Sequence, residues 1–246
     1  MAEELGKVAE IVVIAPDRER SGVGTAVTLH RPLRVRELKQ GRSAVCYAID
    51  GTPADCVILG LGGLFPGKID MIFSGINEGA NLGNDVLISG TVGAALQGYF
   101  YGITSVALSV GSLDNPGFSV AAALAGALVE RFKEGRLTDG MLLNVNVPNL
   151  PYEEIQGIEI TDLAGRSYVD VVKVEKDQRG RSLHWITRGS PEWAIEQGTD
   201  IWALRNKRIS ITPLQSNLAA SDRISDLQNI CPGLLEHLKF ARCQPE

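Results

Sequence analysis

Four short, predominantly apolar runs constrain this chain more than any other feature. They cover residues 8–15, 69–73, 105–110 and 141–147, and Val and Ile dominate the first of them. Runs of this length and composition suit strands of a parallel sheet that are buried on both faces. Between them lie segments of helical character at 53–61, 91–99 and, rich in alanine, 118–132. Strands alternating with helices predict an α/β protein with a parallel sheet. Open sheets of that kind bind ligands at the carboxyl ends of their strands. The polar loops at 17–22 and 74–95 are therefore where chemistry is to be sought.

Composition narrows the class further. A chain of 246 residues holds one large domain, or a domain with an appendage. With 44% hydrophobic and 22% charged residues and no low-complexity tract, it reads as globular. A net charge of −5 argues against a general binder of nucleic-acid polymers, which would carry excess Lys and Arg. Cys46, Cys56, Cys231 and Cys243 form no C-x-x-C, which fits a reducing cytoplasm and neither a zinc knot nor a disulfide scaffold. The N-terminus is acidic, without the apolar core of a signal peptide. The longest apolar stretch, around 120–129, is too short to cross a bilayer. A cytoplasmic protein with no membrane partner is expected.

Local signals place the elements. Residues 2–6 read as the tail of a helix stopped by Gly6, and a helix that short cannot stand alone. The sequence is thus expected to begin inside an element. Residues 25–38 and 44–49 read as an extended pair turning at Gln40-Gly41. Thr52 and Pro53 carry the cap and first-turn signals of a helix. After Pro148 the pattern changes to short strand-like runs at 158–161, 168–174, 182–186 and 208–213, then a helical tail from about Ser221. This predicts a catalytic domain over 1–148 and an α+β region of hairpins and helices over 149–246, of the kind that makes oligomer contacts.

Motif tests exclude several chemistries. G-x-S-x-G is absent, and His30, His184 and His237 lie near no candidate nucleophile, so a Ser-His triad is not indicated. No H-x-x-x-H offers a zinc site. The segment from Gly62 to Ile69 imitates a P-loop, but Ile69 replaces the hydroxyl, Pro66 removes a donor, and a strand rather than a helix follows. Gly22-Val23-Gly24 is too short to be a dinucleotide fingerprint.

What remains is an oxygen-rich edge. Alone, Ser21 reads as a turn-capping serine and Asn77 as a turn asparagine. Presented together by two parallel strands, they make an oxygen-ligand site for Mg²⁺, Mn²⁺ or Ca²⁺ the functional alternative. Carboxylates are poorly placed for it: Asp17 and Glu19 flank Arg18 and Arg20 and look self-paired, and Asp85 lies inside the loop. Ser89, Gly90 and Thr91 open a helix whose free N–H groups would attract a phosphate.

Several stretches, in order along nearly the whole chain, carry a family resemblance. They are Ala15-Pro16-Asp17-Arg18-Glu19-Arg20-Ser21-Gly22, Gly51-Thr52-Pro53-Ala54-Asp55-Cys56-Val57, the 74–95 loop, Leu143-Asn144-Val145-Asn146-Val147-Pro148, Gly198-Thr199-Asp200 and Ser210-Ile211-Thr212-Pro213-Leu214. Together they resemble the SurE (survival protein E) family of metal-dependent 5′/3′-nucleotidases. The resemblance implies a Rossmann-like, mostly parallel sheet with helices on both faces, and a C-terminal region that builds homodimers or homotetramers. It implies a substrate class, nucleoside monophosphates, and a divalent cation such as Mg²⁺ or Mn²⁺. In the family that cation is held by two adjacent aspartates, a serine and an asparagine. Ser21 and Asn77 match the last two as metal ligands, and Asn81, Ser89, Gly90 and Thr91 match residues lining the phosphate pocket. The sequence departs from the family at one place. It contains no Asp-Asp pair, and no strand followed by Asn-Asp-Asp-Gly. No catalytic residue is therefore assigned. Two expectations follow: a metal-dependent phosphohydrolase whose sequence begins too late, at an internal methionine, or an inactive nucleotide- or phosphate-binding oligomer.

Overall fold

The computed structural model describes residues 1–38, 45–165, 169–189 and 196–228, with 231, 233, 234 and 237. The chain divides into two compact units, Met1–Leu214 and Gln215–Glu246. The expected turn at Gln40-Gly41 lies outside the described residues.

In the first unit a short helix, α1 (Ala2–Leu5), ends at Gly6 as the sequence predicts. Strand β1 (Val12–Pro16) follows, later than the apolar run suggested, because residues 6–9 turn back on α1. Of the expected extended pair, only β2 (Val35–Leu38) and β3 (Val45–Ile49) form, and they pair antiparallel. Helix α2 (Pro53–Leu59) starts with a full capping box. Asp55 N–H donates to Thr52 Oγ1 at 3.1 Å, and Thr52 N–H donates to Asp55 Oδ2 at 2.8 Å. Both orphan donors of the first turn are thereby satisfied. A π-turn at Gly60–Leu64 closes the helix, so the P-loop imitation lies on a helix end and carries no phosphate cradle.

The main sheet is built from β4 (Met71–Glu78), β5 (Thr104–Val110) and β6 (Leu142–Val147), with helices α3 (Gly90–Phe100) and α4 (Ser119–Lys133) between them. All three strands run parallel. Strands β7 (Ile158–Ile160) and β10 (Ile209–Pro213) extend this sheet, in the order β4-β5-β6-β10-β7. Short runs that the sequence assigned to an appendage thus hydrogen-bond into the main sheet, β10 antiparallel to β6. Between β7 and β10 stand the hairpin β8 (Val169–Lys176) and β9 (Ser182–Gly189) and helix α5 (Asp200–Arg205). The second unit holds α6 (Ile224–Gln228).

Period-two alternation decides what each face of the main sheet does. Val106, Leu108 and Val110 of β5, Val145 and Val147 of β6 and Ile209 of β10 share one apolar face. Helix α4 covers it with Ala121, Ala125 and Val129, spaced four apart on one side of the helix. The opposite face carries Ser109, Asn144, Asn146, Ser210 and Thr212, all buried, beside an apolar patch of Ala107 and Leu142 under α3. The sheet is therefore apolar on one side and half polar on the other, and the polar side supports the loops that follow β4. The expected single sheet is present in two pieces: among the described residues β1 pairs only with β3 and β4 only with β5.

Candidate functional site

Three segments converge at the carboxyl ends of β1 and β4. Strand β4 runs farther than the sequence suggested and carries Asn77 within it. Its pairing with β5 shifts between Gly75 and Asn77, leaving Ile76 as an extra residue. Such a bulge re-aims the next side chain. Gly75 makes it possible: its φ is +134°, and a Cβ there would collide with the Leu108 carbonyl. Asn77 Nδ2 then donates to the carbonyls of Gly79 (2.7 Å) and Glu78 (3.1 Å). This fixes the amide, and its Oδ1 accepts a hydrogen bond from Thr91 Oγ1 at 3.3 Å.

Thr91 stands in the first turn of α3. Ser89 caps the helix, its Oγ accepting from Val92 N–H at 3.2 Å. The N–H groups of Gly90 and Thr91 belong to the turn for which a helix supplies no carbonyl partners. The loop after β1 is drawn against the same turn. Gly24 N–H donates to the Ile88 carbonyl at 2.9 Å. Gly93 has no room for a Cβ, which would strike the Gly24 carbonyl. A side chain there would push the Ser21 loop off the helix. Ser21, exposed, donates to Glu19 Oε1 at 2.9 Å. The sequence led us to expect Glu19 paired with its flanking arginines. Instead Asp17 takes both, at 3.9 Å from each, and Glu19 faces Ser21. Ser21, Asn77, Ser89, Gly90 and Thr91 are thus gathered at one edge.

Asn81 is held by the sheet. Its N–H donates to Asn146 Oδ1 (2.9 Å) and its Nδ2 to Ser109 Oγ (2.8 Å). Its carbonyl accepts from Asn144 Nδ2 (2.8 Å) and Asn146 Nδ2 (3.1 Å). This residue anchors the loop to the polar face of β5 and β6. A second anchor comes from far along the chain. Buried Asp200 accepts from the N–H groups of Gly83 (2.7 Å), Ala164 (3.0 Å) and Ile201 (2.8 Å). Burial pushes its carboxyl pKa up, and these donors oppose the shift. Asn144, Asn146 and Asp200 lie within the sequence motifs, but their anchoring role shows only in the fold. The signal was present in Asn144 and Asn146, two amides alternating with valines in a strand.

The donors present do not fit a divalent cation. A hard cation takes charged carboxylate oxygens. Ser21 and Asn77 offer a neutral hydroxyl and a neutral amide. Among the described residues no group of three or more His, Cys, Asp or Glu could hold a metal ion. The Cys56 thiol offers nothing in exchange. Burial, with Asp55 adding to it, pushes its pKa up to about 12, so it keeps its proton. Among the described residues no helix is long and apolar enough to cross a membrane.

Helices on both faces of a largely parallel sheet, with a glycine-rich loop and a helix start meeting at its carboxyl edge, define an α/β protein of Rossmann-like class. The family model described as Survival protein SurE matches residues 1–170, and the chain belongs to the SurE family. The 5′-nucleotidase SurE of Nitrosomonas europaea is 41% identical over 229 residues, 93% of this chain and 91% of that protein. That of Halorhodospira halophila is 43% identical over 219 residues, covering 89% and 86%. The crystal structure of the SurE protein from Aquifex aeolicus superposes with a TM-score of 0.79 at 39% identity, covering 93% of this chain and 92% of that one.

Proposed function

We propose that this chain, with the residues it has, binds nucleoside monophosphates through their phosphate and does not turn them over. One observation carries the reading: the site gathers a helix start and neutral oxygens, and among the described residues no carboxylate cluster accompanies them. The first turn of α3 favours an anion by its unpaired N–H groups and its dipole. Ser21, Asn77 and Thr91 add hydroxyl and amide donors that suit phosphate oxygens. The family places the chain in a phosphohydrolase class, and the relatives' name, 5′-nucleotidase, supports a nucleoside monophosphate as ligand. That same name favours a second reading, hydrolysis of the phosphate ester with Mg²⁺ or Mn²⁺.

One experiment separates the two. AMP binding is measured by calorimetry, and phosphate release is assayed with EDTA, Mg²⁺ or Mn²⁺. Binding that is indifferent to the cation, with no phosphate released, is expected. Cation-dependent release of phosphate overturns the binding-only reading and establishes hydrolysis.

We further propose residues 149–246 as the region that makes a homodimer or homotetramer. Its support is the hairpin β8–β9, where Val172, Val174, Trp185 and Ile186 are more than half exposed. Apolar surface of that kind marks an interaction site.

A further inference from the structure

The loop between β4 and α3 is clasped midway by residues that follow β7. Gly83 N–H donates to Asp200 Oδ2 at 2.7 Å. Asp200 Oδ1 accepts from the N–H groups of Ala164 at 3.0 Å and Ile201 at 2.8 Å. Alongside, Asn84 N–H donates to the Gly165 carbonyl at 3.3 Å. The far side of the clasp is itself laced together. Asp162 N–H donates to the Gly198 carbonyl and Asp200 N–H to the Asp162 carbonyl, each at 3.0 Å. Gly83 lets the two sides touch: its φ is +51°, and a Cβ there would collide with the Gly165 carbonyl.

Asp200 is fully buried, and a buried carboxylate is stable where donors meet its charge. Its donors come from three segments: the site loop, the segment after β7 and the first turn of α5. Hydrogen bonds to a charged acceptor are stronger than those between neutral groups. The charge therefore draws the loop to one place. An asparagine of the same shape has a single accepting oxygen. With that oxygen kept toward Ala164 and Ile201, its NH₂ group faces the Gly83 N–H, donor against donor.

The position of Gly83 passes to the site through short main-chain links. Val86 N–H donates to the Gly83 carbonyl at 3.4 Å, within a 3-10 turn over Asn84–Leu87. The N–H groups of Ile88 and Ser89 both donate to the Asp85 carbonyl at 3.1 Å. Ser89 then caps α3, and the Ile88 carbonyl holds Gly24 of the loop that carries Ser21. Two residues before Gly83, Asn81 rests on the polar face of β5 and β6. The clasp thus stands between Asn81 and the start of α3.

We propose that Asp200 is a positioning residue of the phosphate site: through Gly83, its carboxylate holds the start of α3 and the Ser21 loop in the arrangement that grips a phosphate. Asp200 acts through the loop and not on the ligand. It sets the fraction of molecules whose loop is ready to bind, and apparent affinity falls with that fraction. The inference rests on the phosphate-binding reading.

The test uses the full chain, AMP calorimetry, amide hydrogen exchange and urea unfolding. Asp200→Asn is expected to weaken AMP binding about tenfold, the scale of one lost charge-assisted hydrogen bond. Exchange is expected to quicken at Gly83 and to stay slow at Ala164 and Ile201. Gly83→Ala opens the clasp from the other side with Asp200 intact, and the same loss of affinity is expected. Val129→Ala, on α4 across the sheet, controls for general destabilisation. It is expected to lower the urea midpoint and to leave AMP affinity unchanged. Native AMP affinity in Asp200→Asn overturns this proposal and leaves the phosphate-binding reading standing. So does a loss in Val129→Ala as large as that in Asp200→Asn. Absence of AMP binding by the unaltered chain overturns both.

Discussion

At the scale of residues, one carboxylate shows how local signals become stability. Asp55 is 2% exposed, and burial pushes its pKa up. Hydrogen bonds from the N–H groups of Thr28 and Thr52 and from the Thr28 hydroxyl together outweigh burial, and the pKa ends below its ordinary value of 3.8. The native state therefore releases this proton at a lower pH than the unfolded chain does. Its contribution to stability is complete above the ordinary value and is lost as pH falls through the lowered one. Urea unfolding at pH 7, 5, 4 and 3 is expected to show a falling midpoint below pH 4. Asp55→Asn is expected to cost about 1–3 kcal/mol at pH 7 and to flatten that fall. The Thr52 and Pro53 signals that start α2 were legible in the sequence. The bonds from Thr28, 27 residues away, were not, because no local rule brings residues 25–34 across the helix start.

At the scale of elements, the site is held by anchors that cross the sheet. The loop after β4 is short and bears no regular strand, so its backbone groups need partners. Asn144, Asn146 and Ser109 supply them from beneath, and Asp200 from the start of α5. Asp200→Ala leaves the Gly83 and Ala164 N–H groups without their acceptor. Each loss is expected to cost about 1–3 kcal/mol, read as a lower urea midpoint with faster exchange at Gly83. The alternation of Asn144 and Asn146 with valines announced a half-polar sheet face. Its purpose was hidden, since Asp200 and Gly83 are 117 residues apart and only the tertiary fold brings them together. The bulge at Ile76 was hidden likewise. The sequence placed Asn77 in a loop, and only pairing with β5 shows it on a strand.

At the scale of the whole molecule, the hairpin β8–β9 leaves a row of apolar side chains exposed. Ile186 is 81% exposed on β9, where a charge leaves the folded protomer undisturbed. Ile186→Lys is expected to shift the sedimentation coefficient toward the monomer, with the circular dichroism spectrum unchanged. An unaltered sedimentation profile would place the oligomer contact elsewhere. The sequence by itself determined the α/β class of fold and the caps of α2 and α3. Those follow from periodicity and end signals, which act over a few neighbouring residues. Only the tertiary structure decided that β7 and β10 extend the main sheet, that Asp200 fastens the site loop, and that β1 and β4 line one cavity. Strand neighbours are chosen by burying whole faces and closing long loops, and such choices couple residues too far apart for any local pattern to register.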